Sequence, residues 1–264
     1  MRRPLIIAAA ALGALVPAAA GAAPAPRGVT HSTGLAVCPP MPRTALPGYT
    51  ITAMDSFNAA SLNTKVWFRW EGQPGGDPYG WWRTYRSVAS RGKLRLAGSW
   101  VTAGGNPKWA AGGEVTSGVG TRHLQTYGEY RWCMRSDAMP GTETDVLLWP
   151  SSNRLWPPEV DLYESAGDPT SYATTLHYGT AAQNYVEQQQ VSGFDATRWH
   201  VFTATWKPGQ VFVYEDGIEV SSIIDAKNVP SVPMRLDFQT QSIAATPTIG
   251  STVVDWVVEY APKR

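Results

Sequence analysis

The chain has 264 residues, and its 22 Lys or Arg and 21 Asp or Glu residues leave a formal charge of +1. Because a nucleic-acid partner calls for a surplus of basic residues to neutralise phosphates, none is expected. Hydrophobic residues make up 43% of the chain and charged residues 16%, a balance that excludes disordered and fibrous proteins. The 25 Gly, 21 Pro and 12 Trp residues favour many turns and an aromatic-lined surface over a helical bundle.

The first 22 residues have the pattern of a secretion signal peptide. Arg2 and Arg3 precede an apolar run from Leu5 to Val16, and small residues that fit an A-x-A cleavage site follow it. The run is shorter than the about 20 residues that a helix needs to cross a bilayer, and no later segment comes close to that length. We therefore predict a secreted, extracellular protein that loses residues 1–22 and has no membrane partner.

The rest of the chain is predicted to form one domain. Residues 23–48 are rich in Ala, Pro and Gly and indicate an extended lead-in, after which apolar patterning continues through residues 49–264. No internal repeat of fixed period is visible, which disfavours a propeller or a solenoid. We expect a monomer.

Strand periodicity dominates this domain. In residues 129–135 and 253–260, apolar and polar residues alternate with a period of two, as in half-buried strands. Apolar runs at 199–206 and 211–214 flank the turn sequence KPG, and DG follows them, so consecutive hairpins are predicted. Helical spacing with caps is hard to find, and we therefore predict an all-β sandwich of two antiparallel sheets. On the last strand, the alternation puts four apolar residues on one face: Val254, Trp256, Val258 and Tyr260.

The chain contains two cysteines, Cys38 and Cys133. In an oxidising compartment such a pair is expected to form a disulfide. Strand parity supports the bridge, because Cys133 shares a face with Arg131 and Arg135, away from Trp132, where an unpaired thiol would be exposed. Closing a loop of this length stabilises a fold by about 4 to 5 kcal/mol on the chain-entropy model. The alternative is two unrelated thiols.

Three acids, Glu159, Asp161 and Glu164, lie within six residues of each other in a chain with few charges. On a regular strand the first two share a face, but Glu164 would point through the sheet into the opposite layer. Burying it there would cost several kcal/mol. A β-bulge at Leu162 or Tyr163 adds one residue and brings all three acids onto one face, and such bulges are over-represented beside active sites.

The spacing of these acids leaves three interpretations open. With the bulge, the Cα atoms of Glu159 and Glu164 lie about 13 Å apart, and side chains that lean together reach the ~5 to 5.5 Å carboxyl separation of retaining glycosidases. Pro157, Pro158 and Gly167 also resemble a helix start and cap, and a helix would put the two glutamates on different faces. Carboxylate oxygens also suit Ca²⁺. Paired-carboxylate catalysis, a solvated acidic strand or helix, and a metal site all fit.

The segment EVDLYE resembles the E-x-D-x-x-E signature of glycoside hydrolase family 16. The resemblance covers roughly Met54 to Tyr260. Segments similar to those of the family occur in the family's order: YGEYRWCMR, DVLLWPSS, WPPEVDLYE, LHYG, FDATRWHVFTATWKPGQVFVYEDG and VVDWVVEY. The chain departs from the pattern at Pro158, where members often have Gly, and a proline there fits only at the start or edge of a strand.

The resemblance implies a concanavalin-like jelly-roll sandwich of two curved antiparallel sheets, with a polysaccharide cleft on the concave sheet. It also implies an endo-acting retaining hydrolase of internal β-linkages. In that reaction Glu159 is the nucleophile, Glu164 the general acid/base, and Asp161 a hydrogen-bonding partner that orients the nucleophile. The form of the signature resembles the laminarinase-like side of the family, so a β-1,3 or mixed β-1,3/1,4 glucan is the expected substrate. A carbohydrate-binding module without activity, on the same sandwich, and a transglycosylase are the alternatives.

A sugar-binding cleft needs flat aromatic rings beside hydrogen-bonding side chains. Trp149 and Trp156 match family positions beside the scissile bond. By strand parity His177 is expected on the cleft side, with a surface histidine of no role as the alternative, and Gln239 and Gln241 are candidates for hydroxyl contacts. For five further tryptophans, the sequence leaves open whether they line outer sugar subsites or belong to the core: Trp67, Trp70, Trp81, Trp82 and Trp109.

The sequence has no G-x-G-x-x-G, P-loop, H-E-x-x-H or Cys/His metal motif, so no cofactor is expected and no metal ligands are identified. Glycoside hydrolysis needs only water as the second reactant.

Overall fold

The structure, a computed structural model, describes residues 32–75, 79–101, 113–245 and 248–263. Within these ranges the chain forms sixteen strands and two short 3₁₀ helices, the latter at Thr84–Arg86 and Asn153–Leu155. The strands are β1 (Tyr49–Asp55), β2 (Trp67–Arg69), β3 (Gly80–Trp82), β4 (Ser87–Ser90), β5 (Lys93–Val101), β6 (Gly113–Thr121), β7 (Gly128–Ser136), β8 (Thr142–Pro150), β9 (Glu159–Ser165), β10 (Ser171–Thr180), β11 (Gln183–Ser192), β12 (His200–Lys207), β13 (Gln210–Glu215), β14 (Ile218–Ile224), β15 (Met234–Ser242) and β16 (Ile249–Pro262). The predicted signal peptide lies outside the described residues, and no helix among them is both long and apolar enough to cross a membrane.

The hairpins predicted from the apolar runs are confirmed. β12 pairs with β13, and β13 pairs with β14, both antiparallel. At the second reversal, Asp216 and Gly217 have positive φ angles of 49° and 86°. Tight two-residue hairpins require this conformation, which Gly and Asp adopt more readily than other residues.

Hydrogen bonding joins most strands into one ladder, in the order β11-β10-β9-β8-β15-β6-β5-β16-β7-β12-β13-β14. We call the first six strands the site sheet and the last six the back sheet. Aromatic side chains pack between the two sheets, with ring centroids 6.3 Å apart for Trp132 and Phe238 and 5.5 Å apart for Tyr163 and Phe202. The predicted all-β sandwich is confirmed. Its pairing departs from the antiparallel expectation at β3, which runs parallel to β6.

The last strand, β16, contains a register break between Val254 and Trp256. One extra residue reverses the faces of all side chains beyond it. Val254 and Val257 therefore pack in the main core between the sheets, whereas Trp256, Val258 and Tyr260 pack in a second cluster on the outer face of the back sheet. We expected Val254 and these three residues on one face, and this prediction was wrong. The side chains alternate regularly on either side of the break, but the extra residue puts Val254 on the opposite face from the other three.

The lead-in covers this outer cluster. Cys38 and Cys133 form a disulfide, which confirms the predicted bridge and excludes two free thiols. Next to it, Trp256 donates its Nε1 hydrogen to the carbonyl oxygen of Pro39 at 2.8 Å. The described part of the lead-in, residues 32–48, is thereby held against the back sheet.

Candidate active site

The acidic strand contains the predicted bulge. β9 pairs with β8 so that Tyr163 lies opposite Val146 and Asp161 opposite Leu147, which leaves Leu162 as an extra residue. The pairing of β9 with β10 shifts at the same place. Leu162 and Tyr163 are both buried in the core. The three acids of the signature therefore lie together on the other face of the site sheet, and the helix interpretation was wrong.

The acidic strand begins directly after the two prolines. Glu159 is the first residue of β9, so Pro158 stands at the strand start, where a missing N–H is tolerated. Trp156 donates its Nε1 hydrogen to Glu159 Oε2 at 2.6 Å. The segment that leads into the strand thus fixes one carboxylate oxygen of Glu159.

His177 on β10 connects the acids to the next strand. Its Nε2 lies 3.3 Å from Asp161 Oδ2, and its Nδ1 lies 2.9 Å from the amide nitrogen of Asn184. Because an amide nitrogen only donates, Nδ1 accepts and the ring carries its hydrogen on Nε2, toward Asp161. His177 is therefore on the site face and oriented by a partner on β11.

Burial and neighbouring charges raise the pKa values of two of the acids. Asp161 has a pKa well above its usual range, first because of burial and then because of the charge on Glu164. Burial, and then the charge on Asp161, likewise raises the pKa of Glu159 well above its usual range, while His177 and Trp156 oppose the rise. Both side chains therefore hold a proton more readily than exposed carboxyl groups do.

Glu164 is held from two neighbouring strands. Thr175 on β10 donates its hydroxyl hydrogen to Glu164 Oε2 at 2.5 Å, and Gln188 on β11 donates an Nε2 hydrogen to the same oxygen at 3.3 Å. Gln188 also donates to Thr175 Oγ1 at 3.1 Å, which turns the hydroxyl hydrogen toward the carboxylate. No donor within the described ranges contacts Glu164 Oε1.

A second row of polar side chains continues the site face on β8 and β15. Asp145 is buried and is the cross-strand partner of Glu164. Burial, followed by the charges on Glu143 and Glu164, raises its pKa well above the usual range. Gln239 donates to Asp145 Oδ2 at 3.1 Å, and Gln241 donates to Glu143 Oε2 at 2.7 Å. The two predicted glutamines thus lie on the site face with amide hydrogens bonded to carboxylates.

The two tryptophans predicted to contact sugar lie side by side. The rings of Trp149 and Trp156 are 6.5 Å apart and nearly parallel, at 19°. Trp149 donates its Nε1 hydrogen to Asn153 Oδ1 at 3.0 Å, and the Trp156 ring lies 6.2 Å from His177. Both indole rings are partly exposed, and they form an aromatic wall next to Glu159.

A second aromatic pair lies on the same face of the site sheet, next to β6. The rings of Trp70 and Trp82 are 5.4 Å apart at 28°. A Cβ atom at Gly118 would lie 2.6 Å from Trp70 Cδ1, so the glycine leaves the space that this ring occupies beside Gln239, the strand partner of Gly118. The other tryptophans named above divide into Trp67 in the core, Trp81 half-buried and Trp109 outside the described residues.

A separate polar cluster lies on the back sheet. Among the residues that the structure describes, only His200, Glu215 and Asp216 bring three metal-ligand atoms within 4.8 Å of one another, so the three acids of β9 do not. His200 Nδ1 lies 2.9 Å from Asp216 Oδ2, and its Nε2 lies 2.9 Å from the carbonyl oxygen of Asp195. Both partners are acceptors, so both ring nitrogens carry hydrogen and neither has a lone pair for a metal. The cluster is a buried ion pair.

Three neighbours of Glu164 were not among the predicted site residues: Asp145, Thr175 and Gln188. Strand parity could have found two of them, since Asp145 lies four residues before Trp149 and Thr175 lies two residues before His177. Gln188 gives no local signal, because its approach to Glu164 depends on how β11 pairs with β10.

Comparison with protein families identifies the chain. The model described as glycosyl hydrolases family 16 matches residues 85–258. This protein belongs to glycoside hydrolase family 16. The resemblance carried by the E-x-D-x-x-E signature and its flanking segments is confirmed, and the carboxylates described above lie on a strand inside the matched region.

Solved structures share the fold of this family 16 protein at low sequence identity. LamAcat from Zobellia galactanivorans is 16% identical with a TM-score of 0.67, over 80% of this chain and 98% of that one. The laminarinase catalytic domain from Thermotoga maritima is 15% identical with a TM-score of 0.68, over 82% and 99%. A family 16 protein of the Bacteroides ovatus mixed-linkage glucan PUL is 15% identical with a TM-score of 0.66, over 78% and 99%. Comparison with curated proteins gives no match. The likenesses confirm the predicted jelly roll.

Proposed function

We propose that this family 16 glycoside hydrolase is a secreted, endo-acting, retaining enzyme that cleaves internal β-linkages of a β-1,3 or mixed β-1,3/1,4 glucan. The observation that carries the proposal is the bulge at Leu162. It puts Glu159 and Glu164 on one face of the site sheet with Asp161 between them. A binding module needs no such pair of carboxylates.

In the proposed first step, a carboxylate oxygen of Glu159 attacks the anomeric carbon of the sugar. The bond from that carbon to the glycosidic oxygen breaks, and the oxygen leaves with the proton of Glu164. In the second step, a water molecule gives a proton to Glu164 while its oxygen bonds to the same carbon, and Glu159 departs as a carboxylate. Two inversions at one carbon retain the anomeric configuration.

The surroundings of Glu159 suit this role. A nucleophile must be ionised, and burial opposes ionisation. Trp156 donates its Nε1 hydrogen to Glu159 Oε2, and the nearby His177 ring also opposes the rise in the pKa of Glu159, so both favour its negative charge. His177 Nε2 lies 3.3 Å from Asp161 Oδ2, beside the nucleophile. The Trp156 hydrogen bond weakens as Glu159 loses its charge to the covalent bond.

The substrate class is proposed from the chemistry of the site face. Trp149 and Trp156 offer flat apolar surface for sugar rings, and the amide and carboxyl groups around them offer partners for hydroxyls. The crowded acids of β8 and β9 disfavour a sulfated or uronic polymer, whose anions would be repelled. The choice of glucan is supported by the laminaritriose and laminaritetraose bound to the Zobellia protein, by the laminarinase name of the Thermotoga protein and by the mixed-linkage glucan of the Bacteroides protein.

Secretion is proposed from the signal-peptide pattern of residues 1–22 and is supported by the Cys38–Cys133 disulfide, because such bridges persist outside the reducing cytosol. Expression of the full chain in a bacterial host, followed by mass spectrometry of the exported protein, tests it. A new amino terminus near residue 23 is expected. Retention of Met1 in soluble cytoplasmic protein would contradict the prediction.

The function is tested with a panel of laminarin, lichenan, agarose and carrageenan, while the anomeric protons of the products are followed by NMR. We expect laminarin or lichenan to be cut internally, with the β-anomer appearing first and mutarotating later. Initial release of the α-anomer would exclude the proposed roles. Binding without release would favour the binding module, and products longer than the donor would indicate a transglycosylase.

A further inference from the structure

The two carboxylate oxygens of Glu164 have different surroundings. Oε2 accepts from both Thr175 and Gln188, whereas no donor in the described ranges contacts Oε1. An oxygen whose lone pairs already accept two hydrogen bonds is a poor site for a further proton. The exchangeable proton of Glu164 therefore belongs on Oε1.

We propose that Thr175 and Gln188 are positioning residues, which hold Glu164 through Oε2 so that Oε1 carries the proton to the glycosidic oxygen. The inference rests on the proposed function, in which Glu164 is the general acid/base. Neither residue is placed at the reacting bond, and both act through Glu164.

The network spans three consecutive strands of the site sheet. Thr175 lies opposite Asp161 on β9, and Gln188 is the strand partner of Thr175 on β11. Gln190 donates to Gln188 Oε1 at 3.0 Å, which leaves the Gln188 amide hydrogens directed at Thr175 and Glu164. Donors on regular strands hold a carboxyl group more rigidly than donors on loops, and acid catalysis depends on that geometry.

The two oxygens have separate tasks in the reaction. When the glycosidic bond breaks, the hydrogen on Glu164 Oε1 moves to the departing sugar oxygen, and Oε2 keeps its two hydrogen bonds as the carboxylate forms. When water attacks the glycosyl-enzyme, Oε1 takes a proton from that water molecule. Without the proton from Glu164 a sugar must leave as an alkoxide, which is a poor leaving group and departs slowly. Dinitrophenolate is a good leaving group and departs readily without protonation.

The leaving-group difference gives the test. Thr175→Val removes the hydroxyl and keeps the branched shape. We expect kcat/KM on laminarin, or on the polysaccharide that the panel identifies, to fall by roughly tenfold to a hundredfold, as for loss of a hydrogen bond to a charged group. For the dinitrophenyl glycoside of the matching disaccharide, kcat/KM should change by about twofold or less, because it reports only the steps up to the glycosyl-enzyme. Thr175→Ser should restore activity on the polysaccharide.

The neighbouring residue supplies a matched control. Thr174 is fully buried and faces the core, and its hydroxyl has no hydrogen-bond partner among the described residues. Thr174→Val should therefore keep wild-type rates on both substrates. Gln188→Leu, at an exposed position on β11, tests the longer bond, with a loss on polysaccharide of about threefold to tenfold. It also keeps the test open if Thr175→Val does not fold.

The outcomes separate the two proposals. Equal losses of Thr175→Val on both substrates, or no rescue by Thr175→Ser, would mean a structural role and overturn the inference. Wild-type rates on polysaccharide for Thr175→Val and Gln188→Leu would overturn it too, with the proposed function intact. A wild-type protein that cleaves neither substrate would overturn the proposed function, and the inference with it.

Discussion

The molecule contains two groups of buried acids with opposite surroundings. On the back sheet, the His200 ring lies 2.9 Å from Asp216 and 3.4 Å from Glu215, and each of its nitrogens faces an acceptor. On the site sheet, carboxyl groups of β8 and β9 crowd one another, and the basic ring that contacts them, His177, reaches Asp161. Matched charges stabilise the fold, whereas crowded acids hold protons that a reaction can use. Substitutions in the two groups should therefore have opposite effects on stability and activity.

The largest expected effect is on activity. Glu159→Gln removes the proposed nucleophile and should lower kcat on laminarin by about 10⁴-fold or more. The melting temperature should stay equal or rise, because one of the crowded acids becomes neutral. Reducing-sugar release and thermal melting measure the two effects. Glu219→Gln, at an exposed position on β14, is the control and should keep wild-type activity. A large loss of stability in Glu159→Gln would contradict the expected difference between the crowded acids of the site sheet and the ion pair of the back sheet.

A large effect on stability is expected on the back sheet. His200→Asn leaves the Asp216 and Glu215 carboxylates without their cation, and removing one partner of a buried ion pair costs about 3 to 5 kcal/mol. Urea unfolding measures the free energy of unfolding, and activity per folded molecule should not change. His123→Asn, at a half-buried histidine outside this cluster, is the control. If His200→Asn abolished activity in protein that is still folded, the cluster would have a catalytic role that we do not assign.

A smaller effect is expected in the pH dependence of the reaction. The Trp156 hydrogen bond opposes the rise in the pKa of Glu159, so Trp156→Phe should raise that pKa further. The acidic limb of the kcat/KM profile should move to higher pH by about one unit, the equivalent of one hydrogen bond to a charged group. Trp149→Phe loses a bond to Asn153 instead and should leave the limb in place. Equal shifts in both variants would contradict the assignment.

The smallest effect concerns stability against pH. Burial, foremost, raises the pKa of Glu215 from 4.5 to about 7. An acid whose pKa is higher in the folded than in the unfolded protein makes its full contribution to stability at pH values below the unfolded-state pKa. This contribution is lost as the pH rises through the folded-state pKa. Glu215→Gln should therefore flatten the fall in melting temperature between pH 4.5 and 7. Glu219→Gln should leave the slope unchanged, and a steeper slope in Glu215→Gln would reverse the sign that we expect.

Strand parity was sufficient to predict the structure where the geometry depended on a single strand. The odd spacing of Glu164 required an extra residue in β9, and the structure has it at Leu162. The face of Cys133 likewise pointed to its bridge with Cys38. Both predictions needed only the rule that side chains alternate and that an unpaired polar or reactive group is unfavourable in the wrong layer.

Strand parity failed to predict the geometry where regular alternation would have put no polar or reactive side chain in an unfavourable layer. At the register break in β16, apolar residues lie on both sides of Asp255, so nothing in the sequence marks the bulge. The bonds of Thr175 and Gln188 to Glu164 depend on the register in which three consecutive strands, β9, β10 and β11, pair with one another. Composition and spacing do not encode that register, so these contacts required the structure.

The closing strand β16 pairs with β1, β5 and β7, and its partner residues include Tyr49, which lies opposite Pro262. The strand β1 thus finds its neighbour only after residues 56–248 have been synthesised. Until then three strands have open edges, which are sites of aggregation in incomplete chains. A ribosome that stalls before β16 would release a product that cannot complete its sheet, even with the acidic strand β9 intact.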